Sequence, residues 1–168
     1  MTALAPTQPP HIPPVALNRF QKRQSSDLLS NKHYRLVHAD DIMWMVDLSR
    51  RRYPGNYDLE AASMWFENIV LKQPMVFYPI RTDHAFMVTL IALLPWLPGE
   101  PEANVVMLCA EDGHVWDSVK LARASLDWAI RRNCFKWGFN SDTVFDIGPI
   151  AERMGLISRN PRYVAILK

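Results

Sequence analysis

Two patterns divide the chain. From Tyr34 onward apolar residues recur at regular periods. Residues 1–33 show no such period and carry Pro6, Pro9, Pro10, Pro13 and Pro14. Proline fixes φ and removes a backbone donor, so this first segment predicts an extended arm rather than a helix. Ile12, Val15, Leu17 and Phe20 give the arm apolar anchors for docking on a protein partner or on a second copy of the chain. A simple tail is the plainer alternative.

Over 34–168 the periods switch between two and 3.6. Tyr34–His38 alternates as a short strand. Asp40 or Asp41 stands where a helix N-cap belongs, ahead of Ile42, Met45, Val46 and Ser49 on one helical face. The turn Tyr53-Pro54-Gly55-Asn56 stops that helix. Asp58 caps a second one, with Leu59, Ala62, Phe66, Ile69 and Val70 at helical spacing, and Pro74 ends it. Met75–Ile80 and Ala85–Leu93, joined by Arg81-Thr82-Asp83-His84, predict a β-hairpin. Pro95–Glu102 predicts a loop. The nearly continuous apolar run Asn104–Ala110 predicts a central strand buried on both faces.

After Glu111-Asp112-Gly113, a helix is expected from Asp117 or Ser118 to Arg132, striped by Val119, Ala122, Leu126, Ala129 and Ile130. Cys134–Asn140 predicts a strand. Asp146 caps a short helix with Pro149 in its first turn and Gly155 past its end, and Tyr163–Leu167 is the last strand.

Composition narrows the function classes. A chain of 168 residues fits one domain, 34–168, behind the arm, and 49% hydrophobic residues suffice for a sizeable core. Nineteen Lys+Arg against 17 Asp+Glu leave a net charge of +2, without the clustered basic face of a nucleic-acid binder. Arg50, Arg51 and Arg52 read as a helix C-terminus. Cys109 and Cys134 lie in apolar surroundings with no metal-ligand spacing, so reduced core thiols and no metal are expected. The longest apolar stretch, Ala85–Leu97, is interrupted by Thr89 and Pro95 and falls short of the roughly 20 residues that span a bilayer. No secretion signal opens the chain, and a cytoplasmic protein without membrane contact is expected.

The order strand, two helices, hairpin, central strand, helix, strand, short helix, strand resembles the GNAT superfamily of acyl-CoA-dependent N-acyltransferases, over about Tyr34–Lys168. The strand–turn–helix Val105–Arg132 carries the resemblance best. With it goes the helix Ile150-Ala151-Glu152-Arg153-Met154-Gly155-Leu156, which is similar to the family's ending in Leu-Gly-Phe. The resemblance implies an α/β (α+β) fold, a mixed central sheet flanked by about four helices. It also implies acetyl-CoA as co-substrate and transfer of its acetyl group to an amine.

In that family a central strand leads to a glycine-rich turn, and the following helix aims its N-terminal N–H groups at the CoA pyrophosphate. Here the stretch is Gly113-His114-Val115-Trp116-Asp117-Ser118-Val119-Lys120, whose single glycine, Gly113, comes too early to replace those of the family's Arg/Gln-x-x-Gly-x-Gly/Ala. The cofactor cradle implied is Gly113, Val115, Trp116, Asp117, Ser118 and Lys120. An Asp117 that capped the helix would occupy the very amides that phosphate needs. Lys120 and Arg123 would offset part of its charge.

By position Glu111 is the implied base, with His114 beside it; the alternative is a plain polar turn. Tyr53 and Tyr57 would line an acceptor pocket or pack as a rim. Ala151 stands where the family carries a tyrosine acid, and Val144 lies near the place of its asparagine. Tyr163 is a substitute acid or a packing residue. Two functions follow as expectations. One is an N-acyltransferase. The other is a GNAT-like adaptor without catalysis in a larger assembly, such as a phage particle, since the chain also resembles the compact GNAT-like proteins of tailed bacteriophages.

Overall fold

The computed structural model describes residues 33–53, 55, 57–93, 99–140, 151, 154, 157–159 and 162–166. The proline arm, residues 95–98 of the expected loop, Val144, and Asp146, Pro149 and Gly155 of the short last helix lie outside these.

A seven-stranded sheet organises the domain, in the order β1-β2-β3-β4-β5-β7-β6. The strands are β1 Arg35–Leu36, β2 Phe77–Arg81, β3 Ala85–Ala92, β4 Glu102–Ala110, β5 Lys136–Asn140, β6 Ile157–Arg159 and β7 Arg162–Ile166. All neighbours are antiparallel except β4 and β5. That parallel pair is joined by a helix crossover, as parallel strands require. The first strand is shorter than expected, and β6 is one that the sequence pattern did not announce.

Helix α1, Ile42–Arg52, buries Ile42, Met45, Val46, Leu48 and Ser49. It ends where the Tyr53 N–H donates to Ser49 O at 2.9 Å, with Arg50–Arg52 on the favourable side of the dipole. Helix α2, Leu59–Met64, starts where Asp58 Oδ1 accepts the Ala61 N–H at 2.9 Å, the expected cap. It widens into a π-helical stretch, Trp65–Val70, that turns Phe66 and Val70 into the core. Leu59, expected on the buried stripe, is exposed. Asp41 does not cap α1 through its side chain. Its carboxylate instead accepts from the His38 N–H at 2.9 Å, from Arg35 at 2.6 and 2.7 Å, and from Arg81 at 2.7 Å.

Helix α3, Val115–Arg131, begins ahead of the expected start at Asp117 or Ser118. Val119, Ala122, Leu126 and Ala129 are buried as its stripe predicts, whereas Ile130 is exposed. The two faces of the sheet are covered by different helices. Phe86 and Val88 of β3 join the cluster of Ile42, Met45, Leu48 and Phe66, while their alternate neighbour Thr89 bonds Ser125 on α3. Each fully buried Leu or Phe side chain of such a core contributes roughly 1.5–3 kcal/mol.

Candidate active site

The site begins with an irregularity in β4. Val88 pairs with Met107 and Thr89 with Val105, so Val106 is an extra residue opposite β3. Such a bulge bends its strand and re-aims the side chains beyond it. Pairing with β5 runs from Glu102↔Lys136 to Val105↔Phe139, and among the described residues it goes no further. Past the bulge, β4 continues to Ala110 paired with β3 but, among the described residues, not with β5. Val106 is 42% exposed, and Met107 and Leu108 are half-buried. The expected burial on both faces of this strand is therefore corrected at the bulge and for the two residues after it.

Beyond Ala110 the chain turns. The His114 N–H donates to Glu111 O at 3.1 Å, and Gly113 takes a φ of 82° at the third position of the turn. Only glycine adopts that conformation without strain. Helix α3 follows with no side-chain hydrogen bond at its N-cap, His114. Asp117, one of the two expected helix starts, does not cap the helix. It lies inside the first turn, where its carboxylate accepts from Lys120 Nζ at 2.7 Å and stands 3.7 Å from His114 Nδ1. Burial works to raise the Asp117 carboxyl, but the Lys120 hydrogen bond and charge, with His114 and His84, hold it below the usual range. Trp116 is 59% exposed.

Around this turn three segments converge. The Glu111 N–H donates to His84 O at 2.8 Å, joining the end of β4 to the β2–β3 turn. Thr82 Oγ1 fixes that turn by accepting from the His84 N–H at 3.2 Å and the Ala85 N–H at 3.0 Å. His84 Nδ1 lies 2.9 Å from Glu111 Oε2, and the His84 and His114 rings stack with centroids 3.7 Å apart. Helix α1 adds two arginines. Arg51 approaches Glu111 at 4.0 Å. Arg52 donates from Nε to Ala110 O and from Nη2 to Asp112 Oδ1, both at 2.8 Å. The His84 hydrogen bond, with help from Trp44 and the Arg51 charge, holds Glu111 below the usual carboxylate range.

The structure thus brings Glu111, Gly113, His114, Val115, Trp116, Asp117, Ser118 and Lys120 together at the end of β4 and the start of α3. Tyr53 and Tyr57 pack against the α1–α2 core instead, and the Tyr57 hydroxyl is hydrogen-bonded to Ser49 Oγ. Ala151 is helical and fully buried, so no acid stands there. Tyr163 lies in β7, paired with Phe139 and Ser158. Cys109 is buried, with its thiol pushed up to about 12 by desolvation, which excludes a thiolate nucleophile at neutral pH. His84, Arg52 and the bulge at Val106 were not anticipated. His84 sits 27 residues before Glu111, and nothing local in the sequence marks it.

No protein-family model matches the sequence, and no curated protein resembles it at a significant level. Solved structures do match. A chain of the NatC complex bound to Gag peptide and CoA superposes with a TM-score of 0.61 at 14% identity, over 80% of this chain and 98% of that one. A GNAT family acetyltransferase from Brucella melitensis in complex with acetyl-CoA gives 0.58 at 10% identity, over 81% and 88%. A transcriptional regulator from Bacillus halodurans gives 0.62 at 15% identity, over 74% and 92%. This protein has the GNAT fold, the mixed α+β sheet expected from its order of elements. Among the described residues no helix is long and apolar enough to cross a membrane.

Proposed function

We propose that this protein is an acyl-CoA-dependent N-acyltransferase that moves the acetyl group of acetyl-CoA to an amine. The observation that carries the reading is the start of α3, which has no side-chain hydrogen bond at its N-cap, beside the stretch of β4 that, among the described residues, has no β5 partner. Amides at a helix start, with the helix dipole behind them, suit a diphosphate. In this reading the thioester arm runs along β4 past Val106, and CoA or acetyl-CoA in structural neighbours of the same fold supports that choice. Lys120 pairs with Asp117 at 2.7 Å and locally neutralises a carboxylate in the first turn of α3 that would oppose phosphate.

The reaction needs a proton taken from the attacking amine as the C–N bond forms and the C–S bond breaks, and a proton delivered to the departing thiolate. Glu111 is too firmly held by His84 to be an avid base by itself. In the proposed arrangement His84 donates its Nδ1–H to Glu111, which fixes the ring and leaves Nε2 to accept the amine proton. Glu111 is then a positioning residue. Calorimetry should detect acetyl-CoA binding, and Glu111→Gln and His84→Gln should each lower kcat by about a hundredfold or more while leaving the KM for acetyl-CoA nearly unchanged. A folded protein that binds no CoA at millimolar ligand would end this reading.

A second reading has its own support. The buried Ala151 in place of a tyrosine, and the loss of the motif glycines, suit a GNAT-fold adaptor that works by contact alone. The arm 1–33 would be its docking element, toward a protein partner or a second copy. Removal of residues 1–33 with no change in oligomeric state or partner binding would remove that role.

A further inference from the structure

We propose that His84, Glu111 and His114 form a binding site for one divalent transition ion, with Zn2+ as its best-matched occupant. One ligand atom from each of the three residues lies within 4.8 Å of the others. The edge of a tetrahedron with arms of 2.0–2.1 Å is ~3.3 Å, so the set must contract modestly. The His84 and His114 side chains are 44% and 39% exposed, so both rings have room to part from their stack and turn onto an ion.

The backbone under these side chains is already fixed. Glu111 N–H to His84 O and His114 N–H to Glu111 O tie the three residues to one another, and Thr82 pins His84 from the other side. A platform held by main-chain hydrogen bonds orders its ligands before the ion arrives, which lowers the ordering cost of binding. Two imidazole nitrogens with one carboxylate oxygen select a borderline ion over Mg2+ or Ca2+, which favour all-oxygen sites. Three protein ligands leave a fourth position for water.

The surrounding charges bear on affinity from both sides. Asp117, 3.7 Å from His114 Nδ1, adds favourable negative charge. Against it stand Arg51, at 4.0 Å from Glu111, and Lys120, paired with Asp117. Neither cation is buried, and both are free to swing toward solvent. The ligands lie at positions 84, 111 and 114, a spacing that no linear metal motif contains, so the sequence led to the opposite expectation. An ion here would also engage the His84–Glu111 pair, so Zn2+ would inhibit acetyl transfer. That consequence rests on the proposed reaction, whereas binding does not.

The test is a titration of Zn2+ into the full-length, chelator-treated protein, followed by calorimetry and by competition with a metallochromic dye. One ion per chain at low-micromolar affinity is expected, weakened at least about tenfold in each of His84→Ala, His114→Ala and Glu111→Gln. Co2+ in place of Zn2+ should give a visible absorption band that His114→Ala abolishes. Circular dichroism of each variant confirms that its fold is retained. Absence of stoichiometric binding, or binding that all three folded variants keep unchanged, would overturn the site. Acetyl-CoA binding, measured separately, reports on the transferase reading alone, so either claim can fail without the other.

Discussion

The two ends of the β4–β5 pair use polar side chains in opposite ways. At the paired end, Thr89 Oγ1 and Ser125 Oγ are 2.6 Å apart, and Trp137 Nε1–H donates to the same serine at 2.8 Å. All three residues are fully buried, and they link β3, α3 and β5. Every hydrogen-bonding partner lies inside, so this end has one packing solution. At the other end, His84, Glu111 and His114 meet beside the buried Asp117, and the first three remain partly open to water. The first arrangement fastens the sheet to its helix. The second leaves polar groups partly exposed, where a ligand can still reach them.

That contrast can be broken first at its rigid end. Trp137→Ala removes the largest buried side chain of β5 together with the indole donor. It is expected to cost about 4 kcal/mol in urea denaturation, and acetyl-CoA binding should fall only in step with the folded fraction. Loss of binding in molecules that remain folded would mean that the two ends are not separable.

The next effect concerns the support of the open end. Asp41 is held well below the ordinary carboxyl range, first by its Arg35 hydrogen bonds and then by the His38 N–H and Arg81, against burial. Arg81 in turn donates to Thr82 O at 2.7 Å, in the turn that carries His84. Asp41→Asn strands two guanidinium partners, one of them largely buried, and should cost about 3 kcal/mol. Because the folded value is depressed, this stabilisation is complete above the unfolded carboxyl's value of about 4 and declines as pH falls toward the folded one. Thermal melting of wild type and Asp41→Asn should therefore converge under strongly acidic conditions. Parallel pH curves would show that the carboxylate is not the source.

The smallest effect tests the open end itself. A methyl group on Gly113 meets nothing within 4 Å, so Gly113→Ala is strained only by φ. It should cost about 1 kcal/mol. Weaker acetyl-CoA binding with hardly any change in melting temperature would sharpen the distinction; equal losses in both would blur it.

How much of this was legible depends on distance along the chain. The stripe Ile42, Met45, Val46 and Ser49, the Asp58 cap and the hairpin around Thr82-Asp83-His84 are local features, and each was read correctly. The burial of Asn104–Ala110 was not, because a bulged strand and a straight one can carry the same apolar run. Register against β3 decides between them, and register is a property of two strands. Asp117 was misread for a similar reason. An acid near a helix start suits either a cap or an i,i+3 partner, and Lys120 three residues on settles it only once the helix is known to begin at Val115. His84 was illegible because its chemistry comes from Glu111 and His114 in other elements.

The two bonds of Arg52 have a mechanical consequence. One guanidinium clasps the last carbonyl of β4 and the acid of the following turn, while its own backbone ends α1. Helix and turn are geared together. A tilt of α1 must either strip both contacts or drag the Asp112–Gly113 corner with it, so a load applied on one side is felt on the other without any hinge between them.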